Sequence, residues 1–357
     1  MAVRRCFRFT VRHYLKNFFL LLFGLSLAVV FIDFLQNAHR LEPGVNHRIL
    51  YAFYTWEYML SLLYPLTILL ALAWTQVAFI RQNIFVALYS FGYSRRQLFR
   101  PFFFSALGIY LVFLLLQSGE FAYARSKAAA ILHHVESQRK VDNLFFKYNG
   151  DFVFVQELDP VAKVLKGITL FHLKGKRIEA TVRVSRAFYR EGHWVADEAR
   201  IRQKRYDREG RTVGFDERIR HDYSLLEGYQ PRVVKLIYQG RSLSLEDGLR
   251  AWILLHRQGL DSSRIRATLY NMLLMPLFAL ALMPILFFSI RPYRRFVSLE
   301  RLWIVSLGAS LLTWAFFFAM YRLGMSGVLR PEYGQLLPLT ILILYAIYFY
   351  FRITRKE

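Results

Sequence analysis

Five stretches of this sequence, residues 58–80, 101–119, 267–290, 302–321 and 333–351, contain no charged side chain at all. An apolar helix of about 20 residues crosses the hydrocarbon of a bilayer, and only a helix or a closed barrel can pair its backbone groups there. Each run is therefore predicted as a membrane span. A sixth, residues 18–35, carries only Asp33, near one end, and follows a basic leader of Arg4, Arg5, Arg8, Arg12 and Lys16. The leader resembles a signal peptide, but the apolar stretch is too long and no small-residue cleavage site follows it.

Six spans do not account for the whole chain. Of its 357 residues 55% are hydrophobic and 20% charged, too apolar for one soluble core and too charged for a bundle lying wholly in lipid. The formal charge of +23 is unevenly placed, which argues for membrane orientation rather than nucleic-acid binding. The amino terminus, the loop 81–100, the loop 291–301 and the carboxy terminus hold sixteen Lys/Arg against only Glu300 and Glu357. The two short links assigned to the other side are balanced, with Arg40, Arg48, Arg322 and Arg330 against Asp33, Glu42, Glu57 and Glu332. Positive loops stay inside, so both termini are expected in the cytoplasm and residues 120–266 outside it. Cys6, the single cysteine, falls on the cytoplasmic side, which leaves the exported part without a disulfide.

The expected organisation is residues 1–119 with spans one to three, 120–266 as a periplasmic domain, and 267–357 with spans four to six. Residues 120–135 read as a helical extension of the third span. After them the hydrophobic period changes to two. Residues 144–148 and 151–156 are aromatic and β-branched runs flanking Asn149-Gly150, which is hairpin-turn chemistry. Further strands are predicted over 168–173, 177–184, 194–201 and 213–219, punctuated by Gly175, Gly192 and Gly210. Evenly spaced antiparallel strands of this kind suggest a sandwich or open jelly roll. Ser244 and Asp247 form a short-acid capping box for a helix ending near Gly259, and Asp261, Ser262 or Ser263 caps the approach to the fourth span. Pro276 and Pro284 lie inside that span and can kink it.

The motifs of primary catalysis are absent: no nucleotide-phosphate loop, no His-Glu-x-x-His, no nucleophile elbow. No cofactor or metal is expected. His133 and His134 are neighbours on a predicted helix, so they point about 100° apart instead of converging on one ion. Asp33 is the only acid inside a span, which disfavours proton coupling through the bilayer. A transporter built this way needs an energy source in another subunit.

The informative loop is Arg81-Gln82-Asn83-Ile84-Phe85-Val86-Ala87-Leu88-Tyr89-Ser90-Phe91-Gly92-Tyr93-Ser94-Arg95. It predicts a short apolar helix, a Gly stop and a Ser-capped basic helix. Such a knob either lies in the membrane interface or docks in a groove on a cytoplasmic motor ATPase.

This loop, the basic amino terminus, the three-plus-three spans around an exported β domain and residues 273–276 of the fourth span resemble the LptF/LptG (YjgP/YjgQ) permeases of lipopolysaccharide export. The resemblance covers nearly the whole chain, and segments 145–156, around Trp194 and 245–256 are closer to LptG than to LptF. It implies a non-catalytic permease subunit of the bacterial inner membrane. The implied partners are a second permease of the same family, an LptB-like ATPase dimer, a single-span LptC-like protein and lipopolysaccharide. It further implies that the lipid is extracted from the periplasmic leaflet and passed to a β-jellyroll bridge. Phe85, Val86, Leu88, Tyr89, Gly92, Tyr93 and Arg95 are then the expected ATPase-coupling residues. His39, Arg40 and Arg48 are expected at the lipid phosphates, since Arg suits bidentate phosphate contact. Trp314, Phe317 and Phe318 form an aromatic stripe of the fifth span expected to line the acyl-chain path with the first span. Ile84 stands where the family usually has an acid, and lysines common at the end of the LptG first span are missing here. The alternatives are a mechanotransmission-type permease, which usually has four spans, and a membrane-anchored envelope sensor or enzyme.

Overall fold

The computed structural model describes every residue except 1, 42–43, 133–140, 149–150, 160–161, 175–176, 191–192, 207–211, 228–242, 258–261, 291–297 and 355–357. His133, His134, the Asn149-Gly150 turn, Gly175, Gly192, Gly210, Gly259 and Asp261 lie outside the described residues. The chain divides into two compact units, Met1–Leu132 with Arg266–Glu357, and His133–Ile265.

In the first unit the apolar runs form long helices: α1 (Ala2–Asn37), α2 (Val45–Arg81), the short α3 (Ile84–Ser90), α4 (Arg95–Leu116) and α5 (Ala124–Leu132). α2 is the central helix. Polar side chains tie α1 along it: the Tyr14 hydroxyl donates to the Ile68 carbonyl (3.1 Å), Asn17 Nδ2 to Thr75 Oγ1 (2.9 Å), Trp56 Nε1 to Ser26 Oγ (3.0 Å) and the Tyr51 hydroxyl to Asp33 Oδ2 (2.6 Å). In hydrocarbon no water competes for these groups, so such bonds fix the rotation of α1 about its axis. Asp33 is thus held by Tyr51. Against α4, Tyr64 stacks on Phe113 with ring centroids 4.0 Å apart.

Two helices, α7 (Ser263–Leu273) and α8 (Leu277–Ser289), make up the predicted fourth span, meeting at a 41° bend. The bend has a clear cause. Pro276 has no N–H to donate, and around it Leu277, Phe278 and Ala279 bond three residues back instead of four. The Leu273 carbonyl, freed at the break, accepts the Tyr110 hydroxyl at 3.0 Å. Pro284, by contrast, sits within α8, which continues through it. After α9 (Leu299–Met325), a π-helical turn (Glu332–Leu336) leads into α10 (Leu337–Thr354). That turn carries Glu332, paired with Arg266, and Gln335, whose Nε2 donates to the Ala267 carbonyl (3.3 Å), so the first half of the broken span is clasped to the start of α10. Among the described residues five helices are long and apolar enough to cross a membrane, and the bent α7–α8 pair makes a sixth when counted as one broken span.

The second unit holds six antiparallel strands in sequential order: β1 (Val141–Tyr148), β2 (Asp151–Asp159), β3 (Val164–Lys174), β4 (Arg177–Arg190), β5 (His193–Tyr206) and β6 (Thr212–Leu225), followed by α6 (Leu245–Arg257). Each predicted strand is present and longer than expected. Their side chains explain the difference. The buried row Val155, Ile168, Val184, Ala199 and the buried row Leu158, Leu165, Ala187, Ala196 are three residues apart on each of β2 to β5, not two or four. Between them the ladder skips the positions of Gln156, Gly167, Ser185 and Asp197 while the register is unchanged. Two consecutive residues on each strand therefore turn outward, and the sheet creases along this line. Asn143 on β1, Gly167 on β3 and Asp222 on β6 lie on the same line with φ of 55°, 61° and 52°. Gly, Asn and Asp are the residues that accept this left-handed conformation. A meander creased this way buries one continuous face, with Trp194 fully enclosed and packed edge-on against Tyr189 at 5.2 Å.

At Gly167 an added Cβ would lie 2.6 Å from Gln156 Oε1 and 2.8 Å from Gln156 Cβ. Gly167→Ala is expected to destabilise the β unit by about 2 kcal/mol, combining left-handed strain with the clash. Amide exchange in β2 and β3 of the full-length protein should accelerate more than tenfold, and unchanged exchange would remove the crease as a structural requirement.

Candidate functional site

The turn between α2 and α4 is built by local chemistry. Asn83 takes a left-handed conformation (φ 55°) after α2 and turns the chain into α3. α3 stops at a Schellman motif: Gly92 (φ 80°) donates its N–H to the Tyr89 carbonyl (2.9 Å) and Tyr93 to the Leu88 carbonyl (3.2 Å). Ser94 then opens α4 in a full capping box, its hydroxyl accepting from the Gln97 N–H and its own N–H donating to Gln97 Oε1.

The predicted coupling residues do not all face the same way. Phe85 is buried, its ring edge-on to Phe79 (5.4 Å) and Phe287 (6.3 Å). Leu88, Tyr89 and Tyr93 are half-buried against the same core. Arg95 also turns inward: its Nη2 donates to the carbonyls of Phe288 (3.1 Å) and Ile290 (2.8 Å), and its guanidinium lies over the Phe288 ring at 5.4 Å. These are the carbonyls at the carboxy end of α8, where a cation complements the helix dipole. Phe85 and Leu88 thus fasten α3 to the bundle, and Arg95 fastens the start of α4. What the turn presents outward is Val86, Ala87, Ser90, Phe91 and Gly92, with Phe91 78% exposed. Phe91 lies within the expected contact stretch Phe85–Tyr93 but is not singled out in it, although its place before a stop glycine is a signal: a C-cap residue leaves the helix and projects beyond it.

His39 and Arg40 lie in the α1–α2 link and Arg48 in the first turn of α2, all three exposed, with Arg40 Nε donating to His39 Nε2 at 3.3 Å. Trp314 and Phe318, one helical turn apart on α9, stack at 5.7 Å. Phe317 faces the other way, buried and stacked on Phe278 of α8 at 5.7 Å. Within this chain α1 and α9 each pack on α2, α9 through Trp303 on Trp74 (5.6 Å), and hardly touch one another. Both instead leave long apolar faces uncovered: Phe23, Leu27, Phe31 and Leu35 on α1, and Ile304, Leu312 and Phe316 on α9. Among the described residues no group of His, Cys, Asp and Glu is placed to hold a metal ion.

No individually curated protein matches the sequence. The family model described as lipopolysaccharide export system permease LptF/LptG matches residues 8–352. With that match running from the first helix to the last, over a bundle of apolar helices interrupted by an antiparallel β unit, the chain belongs to the LptF/LptG family of lipopolysaccharide export permeases.

Proposed function

We propose that this multi-pass inner-membrane permease extracts lipopolysaccharide from the periplasmic leaflet, paired with a second permease of its family and driven by a cytoplasmic LptB-like ATPase dimer. In this reading the chain is the LptG-like member, both termini and the α3 turn are cytoplasmic, and the domain 120–266 is periplasmic. An LptC-like protein continues the path as a β-jellyroll bridge. The observation that carries the proposal is the α3 turn, an exposed apolar knob at one end of the bundle whose buried side chains are locked to the broken fourth span. A knob of this kind delivers a partner's movement to the helices it is fastened to.

The lipid path follows from the uncovered faces of α1 and α9. Because the two faces do not meet within one chain, the second permease completes the cavity by bringing its own spans against them. The acyl chains lie against these faces, and His39, Arg40 and Arg48 meet the phosphates at the rim. Photo-crosslinkers at Phe31, Arg40 and Phe316 are expected to capture labelled lipopolysaccharide in an assembled, active exporter, and one at the buried Phe317 is expected to capture none. Adducts at Phe317 alone, or at none of the four, would exclude this path.

A further inference from the structure

A second apolar concavity lies away from the α1 and α9 faces. It is an open groove between α4, α8 and α10 with a volume of about 500 Å³, walled by Phe99 and Phe103, Leu280 and Pro284, and Ile343 and Ile347. Its volume falls in the range of sites that hold one organic ligand. Along α10 it reaches from Ile343 to Phe351, a rise of about 12 Å, which is close to the hydrocarbon depth of one leaflet.

One charge breaks the apolar lining. Arg100 borders the concavity at the end of α4 nearest the α3 turn, beside Tyr350 and Phe351. Arg96 stands one helical turn before it on the same face of α4. Among the described residues no carboxylate lines the space. An apolar helix of another protein would fill the cleft but leave this guanidinium unanswered at the mouth. An acyl chain with an anionic headgroup answers both, because basic pockets between membrane helices are where such headgroups bind.

We infer that the cleft between α4, α8 and α10 is a binding site for a glycerophospholipid with an anionic headgroup, drawn from the leaflet on the α3 side, its acyl chain against Phe103, Leu280 and Ile347 and its phosphate on Arg100. This site is separate from the proposed lipopolysaccharide path and does not depend on any ATPase.

The test uses the full-length chain in nanodiscs of phosphatidylcholine containing spin-labelled phosphatidylglycerol or spin-labelled phosphatidylcholine, with neither ATPase nor lipopolysaccharide present. The immobilised fraction of label is expected to favour phosphatidylglycerol roughly fivefold, the preference that one cation near the surface confers. Arg100→Gln should abolish the preference while an immobilised component remains. Ile347→Trp, a bulky change at a half-exposed lining position, should displace the acyl chain and remove most of the immobilised component for both lipids. Inorganic phosphate should not compete, whereas competition would show a free-anion site and overturn the lipid assignment. Absence of any headgroup preference, or a preference that survives Arg100→Gln, would overturn it as well.

Discussion

Phe91→Asp is expected to abolish recovery of the cytoplasmic ATPase with the permease, and with it lipopolysaccharide export, while leaving the permease folded. Phe91 is 78% exposed, so it contributes little to the bundle itself. If the turn inserts into a groove of the ATPase, the same ring becomes a buried aromatic anchor, the kind of residue whose loss costs about 2–4 kcal/mol or more of binding. A carboxylate put there adds the cost of desolvating an unpaired charge. The two together correspond to at least a 100-fold weaker complex, with roughly 1.4 kcal/mol per factor of ten. Val86→Asp, on the same outward face, should act in the same direction. Leu88→Asp should also abolish the complex, but Leu88 is half-buried against the bundle core, so that variant is expected to lower the thermal stability of the permease as well. An intact complex with Phe91→Asp and Val86→Asp would sink the docking face. In a Cys6→Ser background, Phe91→Cys should react with an impermeant thiol reagent only when the cytoplasmic side is opened, and reaction from the periplasm would invert the topology.

How far the sequence goes depends on which signal each feature leaves. The spans were legible because a bilayer demands long uncharged runs, and the five runs together with residues 18–35 correspond to α1, α2, α4, the α7–α8 pair, α9 and α10. The α3 turn was legible residue by residue, since Gly92 and Ser94 are the stop and start signals that the Schellman motif and the capping box require. The strands were cut short for an identifiable reason. Alternation fails where Gln156 is followed by Glu157 and where Lys166 precedes Gly167, and a reading by period two ends a strand there. In the structure these are the crease positions, where two successive side chains face outward and the strand continues beyond. Side-chain direction at the α3 turn was hidden for another reason. Arg95 lies in a basic segment and reads as a solvent or partner contact, because its two acceptors belong to residues almost 200 positions away. Likewise the spacing of Trp314, Phe317 and Phe318 shows a shared helical face, yet Phe317 is claimed by Phe278. The Pro276 break was foreseeable as a kink, and only the hydrogen bonds distinguish it from Pro284.

The inward turn of Arg95 leads to the second large effect. α3 rests on α8 through Phe85 against Phe287, and α4 rests on it through Phe99 against Phe287 and Phe288. Arg95 supplies the polar link, donating to the Phe288 and Ile290 carbonyls. A hydrogen bond from a charged donor contributes about 1.5–3 kcal/mol, and a cation over a ring adds roughly 0.5–2 kcal/mol when desolvated. Aromatic contacts alone permit sliding. The directed bonds of Arg95 instead fix the start of α4, at the end of the α3 turn, to the end of α8, and α8 meets α7 at the Pro276 bend. Movement imposed on the turn by an ATPase is therefore expected to reach the bend through Arg95, which acts as a positioning residue. Arg95→Ala should leave Phe91 and Val86 exposed and the ATPase bound and hydrolysing, but lower lipopolysaccharide release per ATP consumed by about tenfold or more. Arg95→Lys, which keeps a cation but loses the planar fork, should recover part of that ratio. The ratio is the informative readout, because a residue that merely stabilises the fold would lower hydrolysis and release together. Loss of ATPase binding in Arg95→Ala, with the permease still folded, would make Arg95 a docking residue instead. An unchanged ratio of lipid released to ATP hydrolysed would show that the coupling runs through the aromatic contacts alone.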